Sequence, residues 1–284
     1  MGPIENHRER EKGVLIYPVF SRRSGGLSIG VNLFPGQKRC SFNCPYCEVF
    51  PFSTNTEFSG YRMEEDLRVA VSAALERNVP VKDICFSGNG EPLLSSAFPE
   101  ALERAGRVRT EMVPAAKLVL ITNGTGLLQP QLFSLLRDAV FFEDATAGSP
   151  ALNIWLKLDA GTSRWYEQIN RASIPFEEHI AKIKEFTACV PVTLQIMLCA
   201  IDGKSPPPDE ALAWEQLVLE LAAITIEDKT SGCIQKIQIY GKARSAPEDP
   251  KAAALPPEYL EERASSLRRA LAAAALNPPV EVFL

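Results

Sequence analysis

Three cysteines stand close together in residues 39–47, whose sequence is RCSFNCPYC. The spacing C-x3-C-x2-C brings three thiolates within reach of one iron–sulfur cube and leaves its fourth iron without a protein ligand. An open iron is a place where a small molecule can bind and react. The spacing therefore predicts a cluster that does chemistry, with Cys40, Cys44 and Cys47 as its metal ligands and as catalytic residues.

Other uses of these cysteines are open at this point. Positions 40, 44 and 47 match one face of a helix, but Pro35 and Gly36 precede the run and Pro45 interrupts it. Zinc needs four ligands, and the two histidines, His7 and His179, lie far off along the chain in polar surroundings. A disulfide would leave one thiol over. The iron–sulfur interpretation is preferred, with zinc as the main alternative.

The bulk composition places the chain in a broad class. Its 284 residues are 46% hydrophobic, which suffices for one large core, and α/β barrels of this size commonly form a single domain. The net charge of −5 argues against a strong sequence-independent grip on nucleic acid. No apolar run approaches the ~20 residues of a membrane span, and the charged start differs from a signal peptide, so no membrane partner is expected.

The other cysteines bear on the cellular compartment. Seven is an odd number of cysteines, and four of them are scattered through apolar or strand-like stretches: Cys85, Cys189, Cys199 and Cys233. A secreted disulfide framework is therefore not expected. The composition favours a reducing, cytoplasmic environment.

After the cysteine run, the chain alternates β-type runs with helical patterns, which is typical of βα units and a parallel sheet. The predicted strands are Gly30–Phe34, Asp83–Ser87, Lys117–Thr122, Asn153–Leu158, Val192–Leu198 and Lys236–Tyr240. The predicted helices are Met63–Arg77, Ala97–Thr110, Gln129–Arg137, Pro175–Thr187, Asp209–Ile224 and Pro257–Ala275. Residues 280–284 can add a short strand.

Polar residues alternate along three of these strands. In residues 153–159 one face is apolar and the other carries Asn153, Trp155, Lys157 and Asp159. The runs 192–198 and 236–240 alternate in the same way. A parallel sheet covered on both faces would be nearly continuously apolar, so the pattern predicts an open or closed barrel with a polar interior. Ligands of such folds bind at the carboxyl ends of the strands.

A second motif follows the predicted strand 83–87 and has the sequence Gly88-Asn89-Gly90-Glu91-Pro92. Glycines let the backbone turn sharply near a ligand, and the carboxylate of Glu91 can accept hydrogen bonds from an ammonium group. Taken alone, it is equally consistent with an ordinary turn before a helix. Together with the cysteine loop and the sequences ITNG (121–124), KLDA (157–160) and 238–248, it resembles the radical S-adenosylmethionine (radical SAM) superfamily.

The resemblance implies an α/β fold of the partial (βα)6, TIM-like barrel type. It implies one domain over 1–284, with an N-terminal extension (1–26), a barrel core (27–245) and a C-terminal helix with a short tail strand (246–284). It further implies a [4Fe–4S] cluster on the three cysteines and S-adenosyl-L-methionine (SAM) on the open iron. Reductive cleavage of SAM would give a 5′-deoxyadenosyl radical, which abstracts hydrogen from a substrate.

The resemblance also implies cofactor-binding residues. Tyr46 matches an aromatic position near the adenine, and Gly88, Asn89, Gly90 and Glu91 match the turn that holds the methionine amino group. Three polar residues near the ends of successive strands are candidates for the carboxylate and ribose: Asn123, Lys157 and Gln195. The alternative for each of these three is a polar core residue that is satisfied internally.

The branch, partners and substrate follow less directly. Residues 21–23 (SRR) and 27–32 (LSIGVN) are similar to wyosine-synthesis-like iron–sulfur oxidoreductases, but no cysteine precedes Cys40, unlike in wyosine-forming enzymes. The resemblance implies an electron donor of the flavodoxin or ferredoxin type and a substrate such as an RNA nucleoside, tRNA or a small metabolite. The alternative function is a non-catalytic iron–sulfur redox or iron sensor that binds a partner.

Overall fold

The computed structural model describes residues 13–49, 51–141, 152–225, 233–244, 249 and 251–284. Predictions that involve residues 1–12, including His7, or residues 245–248 lie outside the described residues. The strands are β1 (Ile16–Ser21), β2 (Gly26–Val31), β3 (Val81–Phe86), β4 (Lys117–Thr122), β5 (Asn153–Lys157), β6 (Val192–Leu198), β7 (Ala200–Ile201), β8 (Ile234–Gly241), β9 (Ala252–Ala253) and β10 (Val280–Phe283). The α-helices are α1 (Gly60–Glu76), α2 (Phe98–Met112), α3 (Pro130–Phe141), α4 (Ser163–Ile169), α5 (Phe176–Thr187), α6 (Pro208–Ala222) and α7 (Pro257–Ala273). No helix in these ranges is both long and apolar enough to cross a membrane.

Two compact units alternate along the sequence. Unit 1 comprises Met1–Cys40, Val49–Thr122 and Asp138–Asn153. Unit 2 comprises Ser41–Glu48, Asn123–Arg137 and Ile154–Leu284. The expectation of one domain with boundaries at residues 26 and 245 stays a prediction.

Unit 1 contains an antiparallel hairpin that continues into parallel strands. β1 pairs with β2, β2 pairs in parallel with β3, and β3 pairs in parallel with β4. Helix α1 begins where the Ser59 side chain accepts a hydrogen bond from the Arg62 N–H, and it buries Met63, Leu67 and Val71 at helical spacing. Helix α2 packs on β3 through an edge-to-face contact of Phe98 and Phe86, whose ring centroids are 5.4 Å apart.

Unit 2 contains parallel strands in the order β5, β6, β8 and β10. Their register aligns the polar positions of the alternating runs, because Lys157 lies beside Gln195 and Gln195 lies beside Gln238. Cross-strand neighbours share one face of a sheet. The apolar residues Leu194, Ile196, Ile237 and Ile239 alternate with them and are buried. The polar face that the sequence predicts is therefore present in unit 2.

Most predicted elements agree with the structure. All six predicted helices are present, with ends that differ by at most four residues. The predicted strand Gly30–Phe34 is wrong in its bounds, since β2 ends at Val31. The Asn32 carbonyl oxygen Oδ1 accepts the N–H of Phe34 at 3.1 Å, and this local turn ends the strand.

The sequence pattern does not predict the strands β1, β7 and β9 or the helix α4. Strand β1 contains Pro18, which usually argues against a strand but is tolerated at a sheet edge. Helix α4 has only seven residues, too few for a clear helical period. It begins where the Thr162 hydroxyl accepts the N–H of Trp165 at 3.2 Å.

His179 on α5 is buried and does not lie in the polar surroundings that the sequence suggested. Its Nε2–H donates to the carbonyl oxygen of Asn123 at 2.8 Å, and the Tyr166 hydroxyl donates to its Nδ1 at 3.0 Å. The Phe42 ring packs edge-on against the imidazole. Burial lowers the pKa of His179 to about 4, so the neutral ring holds these segments of unit 2 together.

The depressed pKa predicts acid-sensitive folding. Below pH 6.5 His179 is protonated in the unfolded chain, whereas in the folded chain it stays neutral down to about pH 4. The free energy of unfolding should therefore decrease as the pH is lowered. At pH 5 it should be about 2 kcal/mol smaller than at neutral pH because of this residue alone. Urea unfolding at pH 7 and pH 5, followed by tryptophan fluorescence, measures it. A His179→Gln variant should show a smaller pH effect, and an equal effect would contradict the assignment.

Candidate functional site

The turn after β3 is joined to the residue that precedes the first cysteine. The Arg39 N–H donates to the Asn89 carbonyl at 3.0 Å, and the Glu91 N–H donates to the Arg39 carbonyl at 2.9 Å. Gly90 has a φ of +154°, and a Cβ on it would lie 1.7 Å from the Arg39 carbonyl oxygen. Only glycine permits this approach. The turn therefore fixes the backbone on which Cys40 follows.

The carboxylate of Glu91 is buried, and the side chain is only 2% exposed. Its Oε1 accepts the N–H of Leu93 at 3.2 Å and the Thr122 hydroxyl at 2.6 Å. These bonds hold the carboxylate at the start of a short 3₁₀ turn, Pro92–Leu94. A carboxylate fixed in this way can accept hydrogen bonds from a charged donor.

Gly88 and Asn89 connect the turn to Asn32 and Phe34. Gly88 has a φ of +114°, and a Cβ on it would lie 3.0 Å from Asn32 Oδ1. The Asn89 N–H donates to the same Asn32 oxygen at 3.2 Å, and the Asn89 side chain donates to the Phe34 carbonyl at 3.1 Å. The Asn89 amide thus stabilises the turn within unit 1.

The cysteine run forms no helix, in agreement with the sequence analysis. Cys40 is exposed, Cys44 and Cys47 are half-buried, and none of the three is in a disulfide bond. In the described residues no three Cys, His, Asp or Glu side chains converge as ligands of one metal ion. Cysteine thiolates are the usual ligands of iron–sulfur cubes, so the donor set of this run fits a [4Fe–4S] cluster.

The Asp159 carboxylate connects the cysteine run to the rest of unit 2. It is completely buried and accepts hydrogen bonds from the Tyr46 hydroxyl, from Asn170 Nδ2 at 2.9 Å and from the Met197 N–H at 2.9 Å. Asn170 Nδ2 also lies 3.8 Å from the sulfur of Cys44. One buried carboxylate thus orients the neighbours of a predicted cluster ligand on both sides.

Lys157 supplies the positive charge beside Asp159. Its Nζ lies 3.3 Å from the carboxylate, donates to the Tyr240 hydroxyl at 2.8 Å and sits 5.1 Å from the centroid of the Tyr46 ring. Burial by itself would lower the pKa of Lys157, but the combined effect of Asp159, Tyr240 and Cys44 outweighs burial and the pKa lies above its usual range. Burial raises the pKa of the Cys44 thiol to about 12, and Lys157 opposes that rise.

The side-chain amides of Asn123 and Gln195 differ in how many of their polar atoms have a hydrogen-bond partner. Asn123 Nδ2 donates to the Ser41 hydroxyl at 3.0 Å, and its Oδ1 accepts the N–H and the hydroxyl of Thr125. Gln195 is fully buried and donates to Gln238 Oε1 at 2.9 Å, but its own Oε1 has no partner among the described residues. An orphaned buried acceptor is costly unless a ligand donates to it.

The structure brings the predicted residues together in two sets. In unit 1 Gly88, Asn89, Gly90 and Glu91 form one turn that is bonded to Arg39. In unit 2 Cys44, Tyr46 and Lys157 share the neighbours of Asp159. The sequence pattern places Asp159 on the polar face but assigns it no role. The pattern gives no signal for Asn170, because this residue follows the unpredicted helix α4.

Comparisons with known proteins bear on this arrangement. A family model described as the radical SAM superfamily matches residues 34–201, which is more than half of the chain. A UPF0026 protein of Helicobacter pylori is 29% identical over 180 residues, covering 61% of this chain and 50% of that protein. A UPF0026 protein of Synechocystis is 30% identical over 173 residues, covering 60% and 57%. The chain thus spans about half the length of the relatives it matches.

Solved structures show the same fold. A radical SAM methyltransferase from Sphaerobacter thermophilus matches with a TM-score of 0.61 at 16% identity, over 94% of this chain and 68% of that one. Streptococcus suis SuiB, solved with bound S-adenosylmethionine, matches with a TM-score of 0.62 at 14% identity, over 90% and 50%. The predicted α/β fold of a partial barrel is confirmed, while the wyosine-like branch stays a prediction. Since the family match covers the cysteine run, the Gly-Glu-Pro turn and more than half of the sequence, the chain belongs to the radical SAM superfamily.

Proposed function

We propose that this enzyme binds three irons of a [4Fe–4S] cluster through Cys40, Cys44 and Cys47 and uses SAM to abstract hydrogen from an RNA nucleoside or a small metabolite. When bound, the cluster and SAM supply a reductive carbon–sulfur cleavage that yields methionine and a 5′-deoxyadenosyl radical. The observation that carries the proposal is the pairing of Gly90 with Arg39, because it ties the SAM-binding turn to the residue before Cys40. A sensor would have no need of that turn.

The turn after β3 is suited to an ammonium group. The Glu91 carboxylate is buried and held in place by the Leu93 N–H and the Thr122 hydroxyl, so it needs no reorganisation to accept a hydrogen bond from an ammonium group. A charged acceptor forms a stronger hydrogen bond to an ammonium than a neutral one does. We therefore assign Glu91 to the methionine amino group of SAM, with Gly88 and Gly90 allowing the backbone to come close.

The polar face of unit 2 is suited to the remaining groups. Lys157 carries a retained positive charge for the SAM carboxylate, and the orphaned Gln195 Oε1 accepts from a hydroxyl such as those of ribose. The Tyr46 ring, fixed through Asp159, offers an aromatic surface for the adenine. The amide of Asn123 is already bonded to Ser41 and Thr125, so its contact with the cofactor has less support than the others.

The electron donor is expected to approach the face that carries Lys38 and Arg39, both next to Cys40 in the sequence. Arg39 is exposed and its guanidinium lies 5.8 Å from the centroid of the Phe34 ring. Flavodoxins and ferredoxins are acidic, so a locally positive face on this acidic protein would steer them. We assign this face to donor docking.

Replacement of the three cysteines tests the central claim. Cys40→Ala, Cys44→Ala and Cys47→Ala should each lose the absorbance of the cluster and the ability to form 5′-deoxyadenosine. The protein is reconstituted without oxygen, reduced with dithionite in the presence of SAM and analysed by mass spectrometry. Cys189→Ala is the control, because Cys189 is half-buried and outside the motif. About four irons in the triple variant would disprove the assignment.

Glu91→Gln tests the turn. Glutamine keeps an acceptor for Leu93 and Thr122 but loses the charge, so SAM binding should weaken by ~1.5–3 kcal/mol while the iron content is unchanged. Anaerobic calorimetry measures the affinity. Thr122→Val removes only the hydroxyl that orients Glu91 and is the matched control. If Thr122→Val weakened binding as much as Glu91→Gln, the carboxylate would have a structural role alone.

Salt tests the docking face. Exposed charges are screened beyond a Debye length of ~8 Å at physiological ionic strength, so flavodoxin-driven turnover should fall as salt rises. It should fall again in the double variant Lys38→Glu/Arg39→Glu, while dithionite-driven cleavage stays near the wild-type rate. Equal losses with both reductants would show that these residues act on the cluster or SAM, and the docking assignment would fail.

A further inference from the structure

The loop after α4 is bonded to the cysteine run by its backbone. The Asn43 N–H donates to the carbonyl oxygen of Asn170 at 2.9 Å, and the Ser173 N–H donates to the Ser41 carbonyl at 3.3 Å. These bonds come from residues on either side of a sharp change of direction, where Arg171 has a φ of +46°. The loop therefore has a fixed position relative to Cys44 within unit 2.

The Asn170 side chain lies against the Cys44 sulfur. It is 2% exposed, and its Nδ2 is 2.9 Å from Asp159 Oδ2 and 3.8 Å from Cys44 Sγ. An amide nitrogen carries two hydrogens, so one can point to the carboxylate and the other to the sulfur. The carboxylate thus selects the orientation that directs an N–H at Cys44.

The orientation of the Asp159 carboxylate is fixed by its other contacts. Its other oxygen accepts the Met197 N–H from β6, and Lys157 and Tyr46 contact the same oxygen as Asn170. Because the carboxylate is completely buried, each lost bond would leave a desolvated charge less satisfied. The geometry of the Asn170 amide is therefore imposed from two strands of unit 2.

We propose that Asn170 is a positioning residue that donates a hydrogen bond to the sulfur of Cys44 and thereby raises the reduction potential of the cluster. The inference rests on the proposed function, since it takes Cys44 as a cluster ligand. An N–H directed at a ligand sulfur stabilises the added negative charge of the reduced cluster more than the oxidised cluster. Asp159 acts through Asn170 by holding its amide.

The experiment is a potential titration of the reconstituted protein, followed by electron paramagnetic resonance. In Asn170→Ala the reduction equilibrium should become about tenfold less favourable, which for a one-electron couple is a shift of about 59 mV to lower potential. The control is Gln168→Ala, because the Gln168 side chain donates to the Arg164 carbonyl in α4, away from the Cys44 sulfur. It should leave the potential unchanged. An unchanged potential in Asn170→Ala would overturn the inference.

A second measurement uses the wild-type chain and does not depend on how a variant folds. Protein labelled with ¹⁵N in the asparagine amide should show a ¹⁵N coupling to the reduced cluster in pulsed resonance spectra. A loaded cluster without that coupling would also overturn the inference. Either failure leaves the proposed function standing if SAM is still cleaved, whereas a wild-type chain that retains no iron would remove the proposed function itself.

Discussion

A fully buried carboxylate is the constraint on which much of unit 2 depends. Charge taken out of water must be compensated by hydrogen bonds and an opposite charge, because desolvation alone costs several kcal/mol. Asp159 meets this demand with donors from three separate segments: the cysteine run, the loop after α4 and the strand β6. The requirement to satisfy one side chain therefore fixes three backbone segments at once.

Lys157 supplies the opposite charge that the buried Asp159 carboxylate requires. A buried ion pair contributes little net stability compared with apolar packing, but removal of one partner is costly. The pair instead restricts the positions that the Lys157 side chain can adopt. Tyr46, Tyr240 and Asp159 leave Lys157 a narrow choice of positions. A cation held in this way is ready for an anionic ligand without rearrangement.

The sequence predicts a large part of this, and the misses have physical causes. Helix bounds follow from periodicity, and the alternation along 153–159 predicts that Lys157 and Asp159 share a polar face. The partners of Asp159 could not be predicted, since Asn170 follows a seven-residue helix too short to show a period. The orphaned acceptor of Gln195 could not be predicted either, because satisfaction of a polar atom depends on tertiary contacts. The strand that ends early at Val31 shows how one asparagine side chain overrides an apolar run.

The pairing of Gly90 with Arg39 has a consequence for how this chain can vary. The two residues are 51 positions apart, yet their backbones form a parallel bridge with no room for a side chain. The segment between the cysteine run and β3, which includes α1, can change in length as long as the bridge re-forms. An insertion directly between Arg39 and Cys40 is different, because it would shift the first cysteine away from the bridge while leaving the rest of unit 1 intact. Sequence length is thus free around α1 and fixed at both ends of the segment, where the cysteine run and the turn after β3 lie.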